Sequence, residues 1–313
     1  MNDRAVPVFA LEEIARGEHI EQMRSCVTNM GVFYLQVGDA LVDSHTRAGN
    51  AALEFFANAS EQEKLAVTNP APNMRRGFSP LGSESTAQCT NTGDYSDYAM
   101  VYSVGLSDNM FPSPDFERVW KEYFDLYYSA SRETAKAVLR SVDAHLGIDI
   151  DALVDCDPVL RYRYFPDVPE DRSAELQPNR MAPHYDLSIV TLVLQTPCPN
   201  GFVSLQVQVD GQFVELPAKP GCIVAFCGSV APLVSDGRII APLHQVVSPG
   251  QAHRIGSNRT SSALFLRPKV DFTFSVPLAK RLGMGNDLVG ETATFGEWCG
   301  ANYMEMHVGT PAA

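Results

Sequence analysis

Two histidines, one aspartate, one arginine and one serine carry the chemistry that this sequence offers. His184 and Asp186 lie two apart within Met181-Ala182-Pro183-His184-Tyr185-Asp186-Leu187. Extended backbone repeats its side-chain direction every two residues, so this spacing predicts an imidazole and a carboxylate on one strand face. His244 follows on a second strand-like run, and Arg259 and Ser261, again two apart, on a third. Two imidazoles and one carboxylate on one face of an octahedral ion leave three positions open, which suits non-haem Fe(II) and oxygen activation. A chelating 2-oxo acid would fill two of these and O2 the third. Its remote carboxylate then needs a cation and a hydroxyl at fixed reach. Arg259 and Ser261 offer a charge-assisted pair and a further hydrogen bond.

Taken singly, these residues read as core histidines, a turn residue and a surface ion pair. Taken together, in this order, they form a complete set. A zinc hydrolase would use the same ligands but leaves Arg259 and Ser261 without a task, and no His-Glu-x-x-His supplies a base. A non-catalytic β-barrel binding protein would explain the fold and none of the ligands. His19, His45, His145, His253 and His307 lack such partners and are expected at the surface.

The elements that must position this set are legible in part. The 313 residues are 45% hydrophobic and 19% charged, the composition of an ordinary globular chain long enough for a sizeable core. A net charge of −13 without a basic run argues against nucleic acid or an anionic membrane as partner. No signal pattern or membrane-length apolar run is visible, and seven cysteines without a Cys-x-x-Cys read as reduced thiols of a cytoplasmic protein. Oligomeric state is left open.

Leu11, Ile14, Ile20, Met23 and Val27 predict one helix ending at Gly31, followed by a strand over 32–37 and a helix over 41–59. Ser60-Glu61-Gln62-Glu63 predicts a capping box. Residues 68–114 are rich in Pro, Gly, Ser, Thr and Asn and read as a lid loop, with a strand only near Tyr98–Val104. A long helix over 116–147 backs the sheet, its apolar stripe including Trp120, Tyr123 and Tyr127. Strands then follow at 160–165, 187–195, 202–209, 212–216, 222–227, 231–234, 244–247 and 260–266, with Asp210-Gly211 as a hairpin turn. The fold class is mainly β with flanking helices, in a closed or double-sheet arrangement. One domain over 1–313 is expected: a mostly helical part over 1–150, a core over 159–275 and an arm over 276–313.

With these stretches in view, the chain resembles the 2-oxoglutarate-dependent, isopenicillin N synthase-like oxygenases, specifically their cephalosporin-forming branch. The resemblance rests on Met74-Arg75-Arg76-Gly77, Glu84 to Gln88, Arg163-Tyr164-Phe165-Pro166, Met181 to Leu187, Asn200 to Gln206, Arg259 to Ser262 and Phe265 to Pro268, and covers nearly the whole chain. It implies a distorted double-stranded β-helix (jelly-roll) core, Fe(II) on His184, Asp186 and His244, and 2-oxoglutarate on Arg259 and Ser261, with O2 as cosubstrate and ascorbate supporting turnover in vitro. It also implies a penam or cephem substrate whose carboxylates need arginines, for which Arg75, Arg76, Arg161, Arg163 and Arg267 are candidates. Met181, Phe226 and Phe265 match pocket-lining positions. The implied reaction is ring expansion of penicillin N to deacetoxycephalosporin C, with 3′-methyl hydroxylation of that product, or both reactions, as alternatives. The arm departs from the branch: Met304-Glu305-Met306 is acidic and thioether-rich where a polar to basic stretch is expected. Glu305 and Met306 are therefore expected to alter tolerance for hydrophobic side chains.

Overall fold

The computed structural model describes residues 5–68, 76–142, 149–154, 156–169, 177–284 and 288–299. Its strands, in chain order, are β1 Val8–Ala10, β2 Val32–Gln36, β3 Gly77–Ser79, β4 Met100–Gly105, β5 Val159–Phe165 and β6 Asn179–His184. They continue with β7 Val190–Gln195, β8 Leu205–Val209, β9 Gln212–Glu215, β10 Cys222–Cys227, β11 His244–Val247 and β12 Arg259–Leu266. Eight form a major sheet in the order β1-β2-β10-β7-β12-β5-β4-β3, and four form a minor sheet in the order β6-β11-β8-β9. All neighbours are antiparallel except β1 and β2. A small ribbon of two strands at Thr273–Ser275 and Thr292–Thr294 lies outside both.

Period-two alternation sorts the major sheet's side chains into two cores. Ile223, Ala225 and Cys227 of β10, Leu192 and Leu194 of β7, and Leu264 and Leu266 of β12 join one core, packed with the helices. Val224, Phe226, Val193 and Ala263 join the other, together with Leu205, Val207 and Val246 of the minor sheet. The site lies on this second side, between the sheets. A one-residue slip of any central strand would exchange its two faces, so burial on both sides fixes the register.

The helical backing is the long helix Pro114–Val142. Proline at its first position needs no donor, and the Ser113 hydroxyl accepts from the Phe116 amide at 3.2 Å. Trp120, Tyr123, Tyr127, Val138 and Leu139, recurring at helical spacing, are fully buried under the sheet. Losing the Trp120 side chain would destabilise the fold by about 3–5 kcal/mol. The helix Asp39–Asn58 packs alongside, and Gly49 admits the Tyr162 ring, whose hydroxyl would lie 2.9 Å from an added Cβ.

Several elements differ from expectation, each for a local reason. The first helix is two, Leu11–Ala15 and Ile20–Asn29. Gly17 (φ +81) and His19 (φ +61) take left-handed conformations that end one and begin the other. Residues 230–234 form a helix, not a strand: Pro232 has no N–H for a ladder but fits a first helical turn. Within 68–114, the described residues hold β3, β4 and a short helix Thr86–Cys89, with β3 and β4 at the edge of the major sheet where the sequence predicts a single strand. Among the described residues, those before 150 thus give four strands, β1 to β4, to the major sheet besides their helices. The Ser60 capping box, the Asp210-Gly211 turn (φ +49 and +79) and the strands at 222–227 and 244–247 match the sequence pattern.

Candidate active site

His184 and His244 face each other as a registered pair across β6 and β11. Their rings lie 4.3 Å apart, centroid to centroid. Each Nδ1 is tied to a backbone carbonyl two residues earlier, at 2.8 Å to Ala182 and 3.3 Å to Pro242. That leaves Nε2 of both rings for another partner, the usual arrangement of ligating imidazoles. The Phe226 ring stacks on His244 at 4.4 Å and 16° and holds its plane.

The strand β6 ends at His184, so Asp186 reaches the same place by a bend and not along one strand face. Ser229 makes that bend, donating from its amide (2.8 Å) and its hydroxyl (2.7 Å) to the Asp186 carbonyl. Asp186 Oδ1 lies 3.7 Å from His184 Nε2 and 3.6 Å from His244 Nε2. Asp186 Oδ2 is buried without a hydrogen-bond partner. An orphaned buried carboxylate oxygen beside two free Nε2 atoms fits a divalent cation. Burial, helped by His244, pushes the His184 pKa down to about 4, so the ring is in the neutral, ligating form at neutral pH. The three donor groups lie within 4.8 Å of one another. The other such grouping among the described residues, Glu13, Glu18 and His19, is on the surface.

Arg259 and Ser261 project from β12 into the same cavity, both buried. Arg259 Nη1 donates to the Ser204 hydroxyl at 2.7 Å, and its guanidinium lies 5.1 Å over the Phe165 ring. Arg259 Nε has no partner. Burial foremost, with nearby Arg180 and Arg163 and against the effect of Cys198, pushes its pKa down to about 10, so it remains a cation. A buried cation with an unused donor is an anion receptor. Sequence spacing gives no sign of the parts that Ser204, Phe165 and Ser229 play here. Each meets its partner only through strand order.

The remaining candidates divide. Arg163, Met181, Phe226 and Phe265 line the cavity with the ligand set, Arg163 lying 5.9 Å over the Phe265 ring. Arg161 shares the face of Arg163 on β5 but pairs with the buried carboxylate of Glu84, and its Nε donates to Ser103 at 3.3 Å. Arg76 and Arg267 both reach Asp157, at 3.9 and 2.5 Å, near the far end of β5. Neither they nor Arg161 are among the cavity-lining residues. Arg75 and the arm residues Glu305 and Met306 lie outside the described residues. His45, expected at the surface, is buried beneath the sheet, whereas His145 and His307 also lie outside the described residues. None of the seven cysteines is joined in a disulfide. No helix among the described residues is long and apolar enough to cross a membrane.

Residues 156–268, which include His184, Asp186, His244, Arg259 and Ser261, match the model of the 2OG-Fe(II) oxygenase superfamily. Residues 6–142 match that of the non-haem dioxygenase in morphine synthesis N-terminal region. The chain belongs to the 2OG-Fe(II) oxygenase superfamily and is an enzyme dependent on Fe(II) and 2-oxoglutarate. Within it, the chain is 54% identical over 307 residues to the deacetoxycephalosporin C synthase of Amycolatopsis lactamdurans, covering 98% of each. It is also 54% identical over 310 residues to the deacetoxycephalosporin C hydroxylase of Streptomyces clavuligerus, again covering 98% of each. The fold matches the crystal structure of a full-length Neurospora crassa protein in complex with alpha-KG, with a TM-score of 0.74 and 21% identity over 97% of this chain and 98% of that one. The jelly-roll expectation therefore holds.

Proposed function

We propose that this oxygenase expands the penam ring of penicillin N to the cephem of deacetoxycephalosporin C, with His184, Asp186 and His244 holding Fe(II). The observation that carries the site is the meeting, in one cavity, of an orphaned Asp186 oxygen, two free imidazole Nε2 atoms and the unpaired guanidinium nitrogen of Arg259. The substrate class follows from the two relatives of 54% identity. When bound, iron and 2-oxoglutarate supply the oxidation: one oxygen atom of O2 enters succinate as CO2 leaves, and the other takes two hydrogens from the penam as water. Arg259 and Ser261 receive the remote carboxylate of 2-oxoglutarate, the first by charge and the second by its hydroxyl. Arg163 is placed for a substrate carboxylate. Met181, Phe226 and Phe265 form apolar walls that keep water from the reacting carbon. Seven reduced thiols suit a cytoplasmic enzyme.

Equal identity to a synthase and a hydroxylase supports a second reading, hydroxylation of the cephem 3′-methyl, alone or after expansion. Both reactions use the same iron ligands and anion receptor. The site assignment is tested by succinate formation from 2-oxoglutarate with Fe(II), O2 and penicillin N. His184→Ala and Asp186→Ala should abolish it. Arg259→Gln should raise the Michaelis constant for 2-oxoglutarate roughly tenfold or more, since a hydrogen bond to a charged group contributes about 1.5–3 kcal/mol. Undiminished succinate formation in His184→Ala or Asp186→Ala would refute the ligand set, and an unchanged Michaelis constant in Arg259→Gln would refute the anion receptor.

A further inference from the structure

The strand that carries Arg259 and Ser261 is bound to its neighbour by side chains as well as by backbone. Antiparallel pairing sets Leu194 opposite Ser262 and Gln195 opposite Ser261. At the first of these pairs the Tyr127 hydroxyl enters from the long helix. It accepts from the Leu194 amide at 2.9 Å, and its one proton is within reach of the Leu192 carbonyl (2.8 Å) and the Ser262 carbonyl (3.1 Å). Just past the second pair, the Thr196 hydroxyl accepts from the Thr260 amide at 2.9 Å, while the Thr196 amide donates to the Thr260 carbonyl at 3.0 Å. Ser261 therefore sits between two backbone positions, Thr260 and Ser262, each held by a hydroxyl from elsewhere. The Ser262 side chain adds a third hold, meeting His45 Nδ1 at 3.2 Å, and that nitrogen also meets the Tyr123 hydroxyl at 2.9 Å.

We infer that Tyr127, with Thr196, is a positioning residue for the cosubstrate: the two hydroxyls fix how β12 lies against β7 and so aim Ser261 and Arg259. This rests on Arg259 and Ser261 as the 2-oxoglutarate receptor. Tyr127 and Ser262 are completely buried, and neither Tyr127 nor Thr196 lines the cavity, so both act only through the strand. Burial holds the Tyr127 phenol protonated far beyond neutral pH, so the donor is always present. Removing the hydroxyl takes a donor and an acceptor away from buried backbone groups that the strand pairing already bonds across β7 and β12. The extra tie between the strands is lost, and they can shift against each other at this point, which displaces Ser261 from its place. The iron ligands stand on β6, β11 and the bend after β6, so they are spared.

The test is equilibrium binding of 2-oxoglutarate to the anaerobic Fe(II) enzyme by calorimetry, for wild type, Tyr127→Phe, Thr196→Val and Arg259→Gln. Fe(II) affinity, the Michaelis constant for penicillin N and amide hydrogen exchange over 259–263 are followed beside it. Tyr127→Phe and Thr196→Val should each weaken 2-oxoglutarate roughly tenfold, in line with the loss of one buried hydrogen bond. Exchange over 259–263 should quicken, with Fe(II) affinity and the penicillin N constant within about twofold of wild type. If Arg259→Gln weakens 2-oxoglutarate while neither hydroxyl variant does, the positioning role is wrong. It is equally wrong if iron, cosubstrate and penicillin N weaken alike, because that is general loosening. If Arg259→Gln itself leaves 2-oxoglutarate affinity unchanged, the receptor assignment falls, and the positioning role falls with it.

Discussion

Replacing His45 by Gln should remove a built-in acid sensitivity. His45 is 5% exposed, on the helix Asp39–Asn58 beneath β12, with Tyr123 and Ser262 at its Nδ1. Burial pushes its pKa from 6.5 down to about 4. Between these values the unfolded chain binds a proton that the folded chain refuses, so stability falls as pH drops through this window and is flat above it. The full span of about 2.5 pKa units corresponds to about 3 kcal/mol, and at about pH 5 about 2 kcal/mol of it is already lost. Glutamine keeps hydrogen-bonding capacity without the titration. Urea unfolding of both proteins at about pH 7.5 and about pH 5 should show the variant gaining about 2 kcal/mol on wild type at the lower pH. Other titrating groups are common to both proteins and drop out of the difference. A stability gap that is the same at both pH values would refute the buried, neutral His45.

The Glu84–Arg161 pair is buried on both sides, so Glu84→Gln alone should destabilise by about 3–5 kcal/mol, and adding Arg161→Met should restore most of it. Urea midpoints of the two single variants and the double variant check this, and additive losses would contradict a coupled pair. Gly77 has φ +71, and an added Cβ would lie 1.9 Å from the Val67 carbonyl oxygen. Gly77→Ala should therefore lower the thermal midpoint by several degrees, because it adds backbone strain of about 1 kcal/mol or more to a backbone clash; an unchanged midpoint would mean that β3 lies elsewhere.

The legible parts of the site depend on short spacings. Arg259-x-Ser261 needs only a strand and its period of two, and β12 supplies it. The spacing of His184 and Asp186 points to one strand face, whereas the two side chains come together through the bend held by Ser229, which replaces the last strand residues. Partners set by sheet order are not legible. Ser204 meets Arg259 across the two sheets, and Glu84 meets Arg161 because the segment before β4 folds over β5. Neither distance in the sequence announces a contact. Residues 231–234 mislead for another reason: a short apolar run has no period of its own, and only Pro232 hints at a helix start. His45 stands in a helix whose neighbours Ala48, Gly49 and Ala52 are small and buried. That pattern marks a face pressed close to the sheet, and it is the one sequence signal that places His45 inside.

The most direct test is to incubate the purified enzyme with Fe(II), ascorbate, 2-oxoglutarate and penicillin N, and follow products by mass spectrometry. The expected product is a cephem with the mass of penicillin N less two hydrogens, formed mole for mole with succinate and absent in Asp186→Ala. Gain of one oxygen on added deacetoxycephalosporin C would show the hydroxylase reaction, alone or beside expansion. Succinate released while both β-lactams stay intact would contradict the substrate assignment and leave only the oxygenase.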